Sequence, residues 1–141
     1  MTTYVLDAGA LIAFERNSRK TWAELRTAYA KHDLFVVPSG VIGQVWRGTR
    51  RQARLGQALK YCSTIPLDEI TARSAGVLCG HTNTTDVIDA SVAVTAHTYL
   101  RFGEVTVVTS DPKDILVLLS ALPAGGFTNS DEPVTITVSV P

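Results

Sequence analysis

Cysteine and histidine are scarce in this chain of 141 residues, with two of the one and three of the other. Cys62 and Cys79 lack the spacing of a metal site. They read as reduced, packed thiols rather than a disulfide framework. With only His32, His81 and His97 available, a histidine-rich zinc centre is not expected. Net charge is also missing: the formal sum is zero. No global field therefore announces a nucleic-acid or membrane partner, although a local patch stays open. No stretch approaches the roughly 18 uninterrupted apolar residues of a membrane span. The N-terminal residues lack a basic region, an apolar run and a cleavage site in succession, so a cytoplasmic protein without a secretory signal is expected. No glycine fingerprint follows the first apolar run, which excludes a dinucleotide fold of the usual type. Repeats, linkers and low-complexity tracts are absent.

What is present suits a single domain over residues 1–141 with one core. "TYVLD" predicts a buried strand over residues 2–6, and "AGALIAFER" starts a helix. "RKTWAELRTAYAKH" spaces Trp22, Leu25, Ala28 and Tyr29 at helical intervals. "LFVVP" (34–38) is a second strand, stopped by Pro38. "SGVIGQVWRGTRRQARLGQALKYC" has helical period with a break near Gly48. "TIPLD" predicts a third short strand, "EITARSAGVLCGH" a helix, "TNTT" a loop, and "DVIDASVAVTAHTYLRF" a largely buried helix. "EVTVVTS" is a strand, "DPKDILVLLSAL" a helix, "PAGGFTNSDEP" a loop and "VTITVSV" a final alternating strand. Strands alternating with helices imply α/β architecture, with a mainly parallel sheet and helices on both faces.

In such sheets, sites form beyond the carboxyl ends of the strands. Asp7 ends the first strand, and Asp111 lies just beyond "VTVVTS". Two acids far apart in sequence thus point at one edge. Asp86 and Asp89 are three residues apart at a helix start and share a face. Asp111 and Asp114 repeat that spacing. Capping of free helix amides competes as an explanation, above all for Asp111 before Pro112 and for Asp114. Asp89 resists it. A carboxylate one turn inside "DASVAVTA" needs a cation or a dense set of hydrogen bonds, because burying it alone costs at least about 2 kcal/mol. Clustered carboxylates repel until a hard divalent cation relieves them. Such a cluster can support phosphodiester cleavage.

The segments "YVLDAGALIAFER", "VPSGVIGQVWRG", "DVIDASVAVTA" and "VVTSDPKDI" together resemble PIN-domain ribonucleases, in particular the VapC-type toxins of bacterial toxin–antitoxin modules. The resemblance spans roughly residues 3–120, with the motifs in family order. It implies a PIN-like three-layer α/β/α sandwich and a Mg²⁺- or Mn²⁺-dependent endoribonuclease site. It also implies a homodimer, an RNA substrate and inhibition by a small cognate antitoxin. Asp7, Asp89 and Asp111 match three of the family acids and would be the catalytic metal ligands. Thr109 matches the neighbouring hydroxyl position. The departure is Gln44, where the family usually has Glu. Glutamine keeps an oxygen ligand but loses the charge. Asp86, one helical turn before Asp89, can compensate, and Asp114 can help from further out.

Arg47, Arg50, Arg51 and Arg54 follow Gln44 closely. On one continuous helix they would share a broad face, with Lys60 beyond. That face reads either as solvated surface or as a contact for RNA phosphates or an acidic antitoxin segment. Trp22 and Trp46 read as core or interface anchors. Two other functions compete with the nuclease. One is a catalytically weakened PIN-fold module that binds RNA or protein, for which Gln44 speaks. The other is phosphoryl transfer through an Asp nucleophile, which needs a second Asp two residues after Asp7, where Gly9 stands.

Overall fold

The computed structural model describes residues 1–123 and 135–141. Among the described residues, five strands run through the centre: β1 (Thr2–Leu6), β2 (Leu34–Pro38), β3 (Ser63–Ile65), β4 (Glu104–Val108) and β5 (Ile136–Ser139). Among the same residues, seven α-helices surround them: α1 (Ala8–Glu15), α2 (Arg19–Ala30), α3 (Ser39–Val45), α4 (Ala53–Leu59), α5 (Glu69–Thr82), α6 (Val87–Tyr99) and α7 (Pro112–Ser120). All strand pairs are parallel, in the order β3-β2-β1-β4-β5. This is the expected three-layer α/β/α sandwich.

A parallel sheet buried on both faces demands near-continuous apolar strands. Val5, Val36, Val37, Val105 and Val107 accordingly lose almost all contact with solvent. Tyr4 pairs in register with Phe35 and Thr106, so these three share a face, and α2 lies beside Tyr4 and Thr106 there. Helix α6 crosses β1, β2 and β4 and is flanked by α5 and α7. That sandwiching explains why Ala90, Ser91, Val92, Ala93, Thr95 and Ala96 are all buried. Small residues there let the helix approach the sheet closely. Trp22 anchors α2 against α1, with its indole N–H donating to the Phe14 carbonyl (3.2 Å) and its ring edge-on to Phe14 at 5.1 Å. Both cysteines are free thiols, and burial pushes the Cys62 thiol up to about 12.

Three expectations shift. The third strand begins and ends earlier than "TIPLD": Pro66 carries no N–H for the ladder, so pairing stops at Ile65. The predicted loop over 123–133 and the first residue of "VTITVSV" fall almost wholly outside the described residues, and the final strand is seen over Ile136–Ser139. The break expected near Gly48 is present, and what shifts is the common face that the arginines would share on one continuous helix. The helix breaks after Val45, Gly48 takes a left-handed φ of 72°, and a 3₁₀ turn over Arg50–Gln52 leads into α4. Arg47 therefore does not share a helical face with Arg50, Arg51 and Arg54.

Candidate acidic site at the sheet edge

Asp7 follows β1 directly and is 5% exposed. Its backbone N–H donates to the Val108 carbonyl (3.0 Å), which extends the β1–β4 ladder by one residue. Its side chain does two things at once. Oδ1 accepts from the Ala8 N–H (2.8 Å), capping α1, and Oδ2 accepts from the Thr109 hydroxyl (2.7 Å). The capping explanation is thus true of this residue, and its second oxygen is turned toward the end of β4.

Thr109 is fully buried just beyond β4. Its N–H donates to the Ser139 carbonyl of β5 (2.9 Å). Its hydroxyl, besides donating to Asp7, accepts from the Asp111 N–H (3.0 Å). One threonine thereby ties the first acid to the backbone of the last. Asp111 occupies the N-cap position of α7 but makes no side-chain capping bond. With Pro112 next, the helix has one free amide fewer to satisfy, and the Asp111 carboxylate stays exposed and uncommitted.

The first turn of α1 and the loop between β4 and α7 touch at Gly9. A Cβ at that position would run into the Ser110 side chain and come within 3.0 Å of its backbone nitrogen. Glycine is required by this close approach. Gly9→Ala should lower stability by about 1–3 kcal/mol, the usual penalty for overpacking, and should weaken any binding that needs Asp7 and Asp111 together. Thermal melting and metal titration of that variant check both effects.

Asp86 caps α6, its Oδ1 accepting from the Asp89 N–H (3.0 Å). Asp89 is half-buried one turn into the helix. Its pKa is pushed up to about 7, first by desolvation and then by the charges of Asp86 and Asp7, a hydrogen bond with Asp86, and the charge of Asp111. The acids named from sequence therefore act on one another across β1, α6 and the β4–α7 loop. Asp114 joins Asp86 and Asp89 in a cleft of about 240 Å³ that Thr82, Thr84, Val117 and Leu118 also line.

Gln44 lies one turn after Gly40 on α3. Gly40 packs against Ile88 of α6 so closely that a side chain there would strike it. That contact fixes α3 against α6, yet the Gln44 side chain is exposed and, among the described residues, makes no hydrogen bond to the acids. Arg47 folds back onto the end of α3, donating to the carbonyls of Trp46 (2.8 Å), Gln44 (3.0 Å) and Gly43 (3.4 Å). Arg50, Arg51 and Arg54 are exposed. Gln52 escaped the sequence reading. It is 3% exposed, and it stands three residues before the buried Leu55, so a polar residue in phase with an apolar stripe was the available signal.

Carboxylate oxygens are hard donors and suit Mg²⁺ or Mn²⁺, and the like-charge strain on Asp89 is the strain a cation relieves. The chemistry of the donor set thus fits a divalent ion. The side chains are not pre-closed around one: among the described residues, no three His, Cys, Asp or Glu side chains are grouped to hold a metal. A groove of about 660 Å³ between α5 and Ala121, Leu122 and Pro123, which follow α7, contains no acid. No described helix is long and apolar enough to cross a membrane.

No protein-family profile and no curated protein matches the sequence. Among solved structures, the chain is similar to the crystal structure of VapBC2 from Rickettsia felis bound to a DNA fragment from their promoter. The TM-score is 0.62 at 14% identity, and the match covers 96% of this chain and 98% of the other. At that identity the likeness shows the fold, which is PIN-like.

Proposed function

We propose that this chain is a Mg²⁺- or Mn²⁺-dependent endoribonuclease and the toxin of a type II toxin–antitoxin pair, acting in the cytoplasm. One observation carries the reading: Asp7, held by Thr109 and Ala8, shares an electrostatic neighbourhood with Asp86, Asp89 and Asp111. Acids grouped at the carboxyl edge of a parallel sheet are poised for a cation and a phosphate. The PIN-like fold shared with VapBC2 supports a small antitoxin as partner, and the family resemblance supports a homodimer.

Asp7, Asp89 and Asp111 are the residues that would hold the ion. When bound, it supplies positive charge opposite the phosphate oxygens. Thr109 keeps the Asp7 carboxylate aimed and frees Asp111 from backbone duties. With its pKa pushed up to about 7, Asp89 is about half protonated at neutrality, and a bound cation would favour its ionised form. Asp86 is committed through Oδ1 to capping α6, which limits how far it can stand in for the charge that Gln44 lacks.

Cleavage of total RNA with and without Mn²⁺ tests the reading. RNA bound but left intact under all conditions would favour the weakened binding module instead. Gln44→Glu adds a carboxylate at an exposed position of α3, the helix that Gly40 fixes against α6. It should tighten divalent binding by roughly tenfold, the scale of one added charge-assisted contact, and raise the cleavage rate. Calorimetric metal titration checks the first effect. Flat or falling activity would mean that the added charge crowds a site already served by Asp86.

A further inference from the structure

Between Asp33 and Asp68 the sequence contains no acidic residue, while Arg47, Arg50, Arg51, Arg54 and Lys60 all fall there. The neutral chain is therefore uneven: five of its thirteen basic residues fall on the path from β2 to β3 with no acid among them. Arg47 is spent on the end of α3. Arg50, Arg51 and Arg54 are exposed, and none of the three forms a salt bridge among the described residues. Four residues before Arg50 in the chain, Trp46 is 43% exposed, and its ring edge lies toward α4, where a Cβ at Gly56 would meet it at 3.8 Å. An open indole beside free guanidinium groups offers a base a stacking surface and phosphates their counter-charges.

The turn that presents these groups is held from beneath by Gln52. Its Oε1 accepts from the backbone N–H groups of Arg47 (2.7 Å) and Gly48 (3.0 Å), and its Nε2 donates to the Val45 carbonyl (2.8 Å). One buried amide thus stitches the end of α3 to the left-handed turn at Gly48 that follows it. A helix break that exposed these backbone groups to solvent would leave the turn free to change shape.

We propose that Gln52 is a positioning residue: its buried amide locks the Trp46–Thr49 turn so that the Trp46 indole, Arg50, Arg51 and Arg54 contact single-stranded RNA. An acidic peptide would use the charges alone, whereas the exposed indole adds a surface suited to bases, and this favours RNA. The proposal rests on the RNA reading given above but not on cleavage, so it is tested in an Asp7→Asn chain.

The measurement is fluorescence anisotropy of a labelled single-stranded RNA oligonucleotide across a salt series. Gln52→Met should weaken binding by roughly tenfold and flatten the plot of log affinity against log salt by about 1.4, at about 0.7 per lost phosphate contact. Arg50→Ala with Arg51→Ala should flatten it equally. Gln52→Glu keeps the two accepting bonds and should fall between. In the chain with Asp7 intact, Gln52→Met should raise KM and leave kcat within about threefold. Unchanged affinity and slope in Gln52→Met overturns the proposal. Should that variant not fold, an unchanged slope in the double arginine variant overturns it as well. Loss of binding to a polyglutamate peptide in the double variant, with RNA binding intact, makes the face a protein dock and also overturns it. Binding with the expected slope by a chain with Asp7 intact that leaves RNA uncut in the presence of Mn²⁺ supports this proposal and overturns the nuclease reading.

Discussion

Asp7→Asn should reduce RNA cleavage by about a thousandfold or more while the melting temperature moves by only about 3 °C. The amide is nearly isosteric, and its oxygen can still accept from Ala8 at the start of α1. Its NH₂ would face the Thr109 hydroxyl, which has lone pairs to receive it. The fold can therefore absorb the change. The charge cannot be replaced so easily. Asp7 is the buried member of the cluster, with a backbone fixed by the β1–β4 ladder and both carboxylate oxygens directed by hydrogen bonds. An acid so constrained is organised before any cation or phosphate arrives. Cleavage assays with Mn²⁺, alongside circular dichroism of the variant, check both halves. Full activity of Asp7→Asn in metal-free buffer would sink metal-dependent catalysis altogether.

Asp89→Asn should stabilise the protein at neutral pH, and the gain should vanish in mild acid. In the unfolded chain an aspartate titrates near 3.8, whereas in the native state Asp89 is pushed up to about 7. Between those values the native protein keeps a proton that the unfolded chain has released. Stability from this group is therefore full below pH about 4 and is lost as pH rises through about 7. The whole shift would be worth about 4 kcal/mol. Solvent screening of a half-exposed carboxylate reduces that to about 1–2 kcal/mol, or about 3–8 °C in melting temperature. Millimolar Mg²⁺ or Mn²⁺ should recover much of this in the wild type, because binding to the native state relieves the repulsion, and much less in Asp89→Asn. Melting curves of both proteins from acid to neutral pH, with and without the ion, make the comparison. Parallel curves across the window would show that the acids do not strain one another.

These effects depend on features that differed in how far the sequence revealed them. The buried strands and α6 were legible because apolar runs bounded by turn residues leave few alternatives, and Asp7 and Asp89 stood out as acids inside such runs. The break at Gly48 was legible from the glycine. The fate of the arginines was not, since helical phase is lost once a turn intervenes and Arg47 can satisfy carbonyls that the break leaves open. Asp111 could not be resolved as cap or free acid either. Its backbone, at φ −118° and ψ 64°, carries the carboxylate away from the amides of α7, and that conformation follows from the bond between its N–H and Thr109. Gln52 was hidden for a related reason: a glutamine after two arginines reads as surface, and its burial depends on how the chain folds over it.

The central place of β1 has a consequence for the timing of activity. β1 precedes the other four described strands in the chain, yet it pairs with β4 in parallel, and Asp7 and the Thr109 that orients it lie 102 residues apart. Parallel partners cannot be joined by a tight hairpin, so this pairing must wait for the intervening helices. A nascent chain that has released β1, α1 and β2 from the ribosome holds its first acid but not the framework around it. Closing so long a loop is a slow step in folding. Recovery of function after dilution from denaturant should then lag behind the burial of Trp22, which packs on the neighbouring α1, and follow the docking of β4. A cell making such a chain has the interval of its synthesis and folding before an active edge exists.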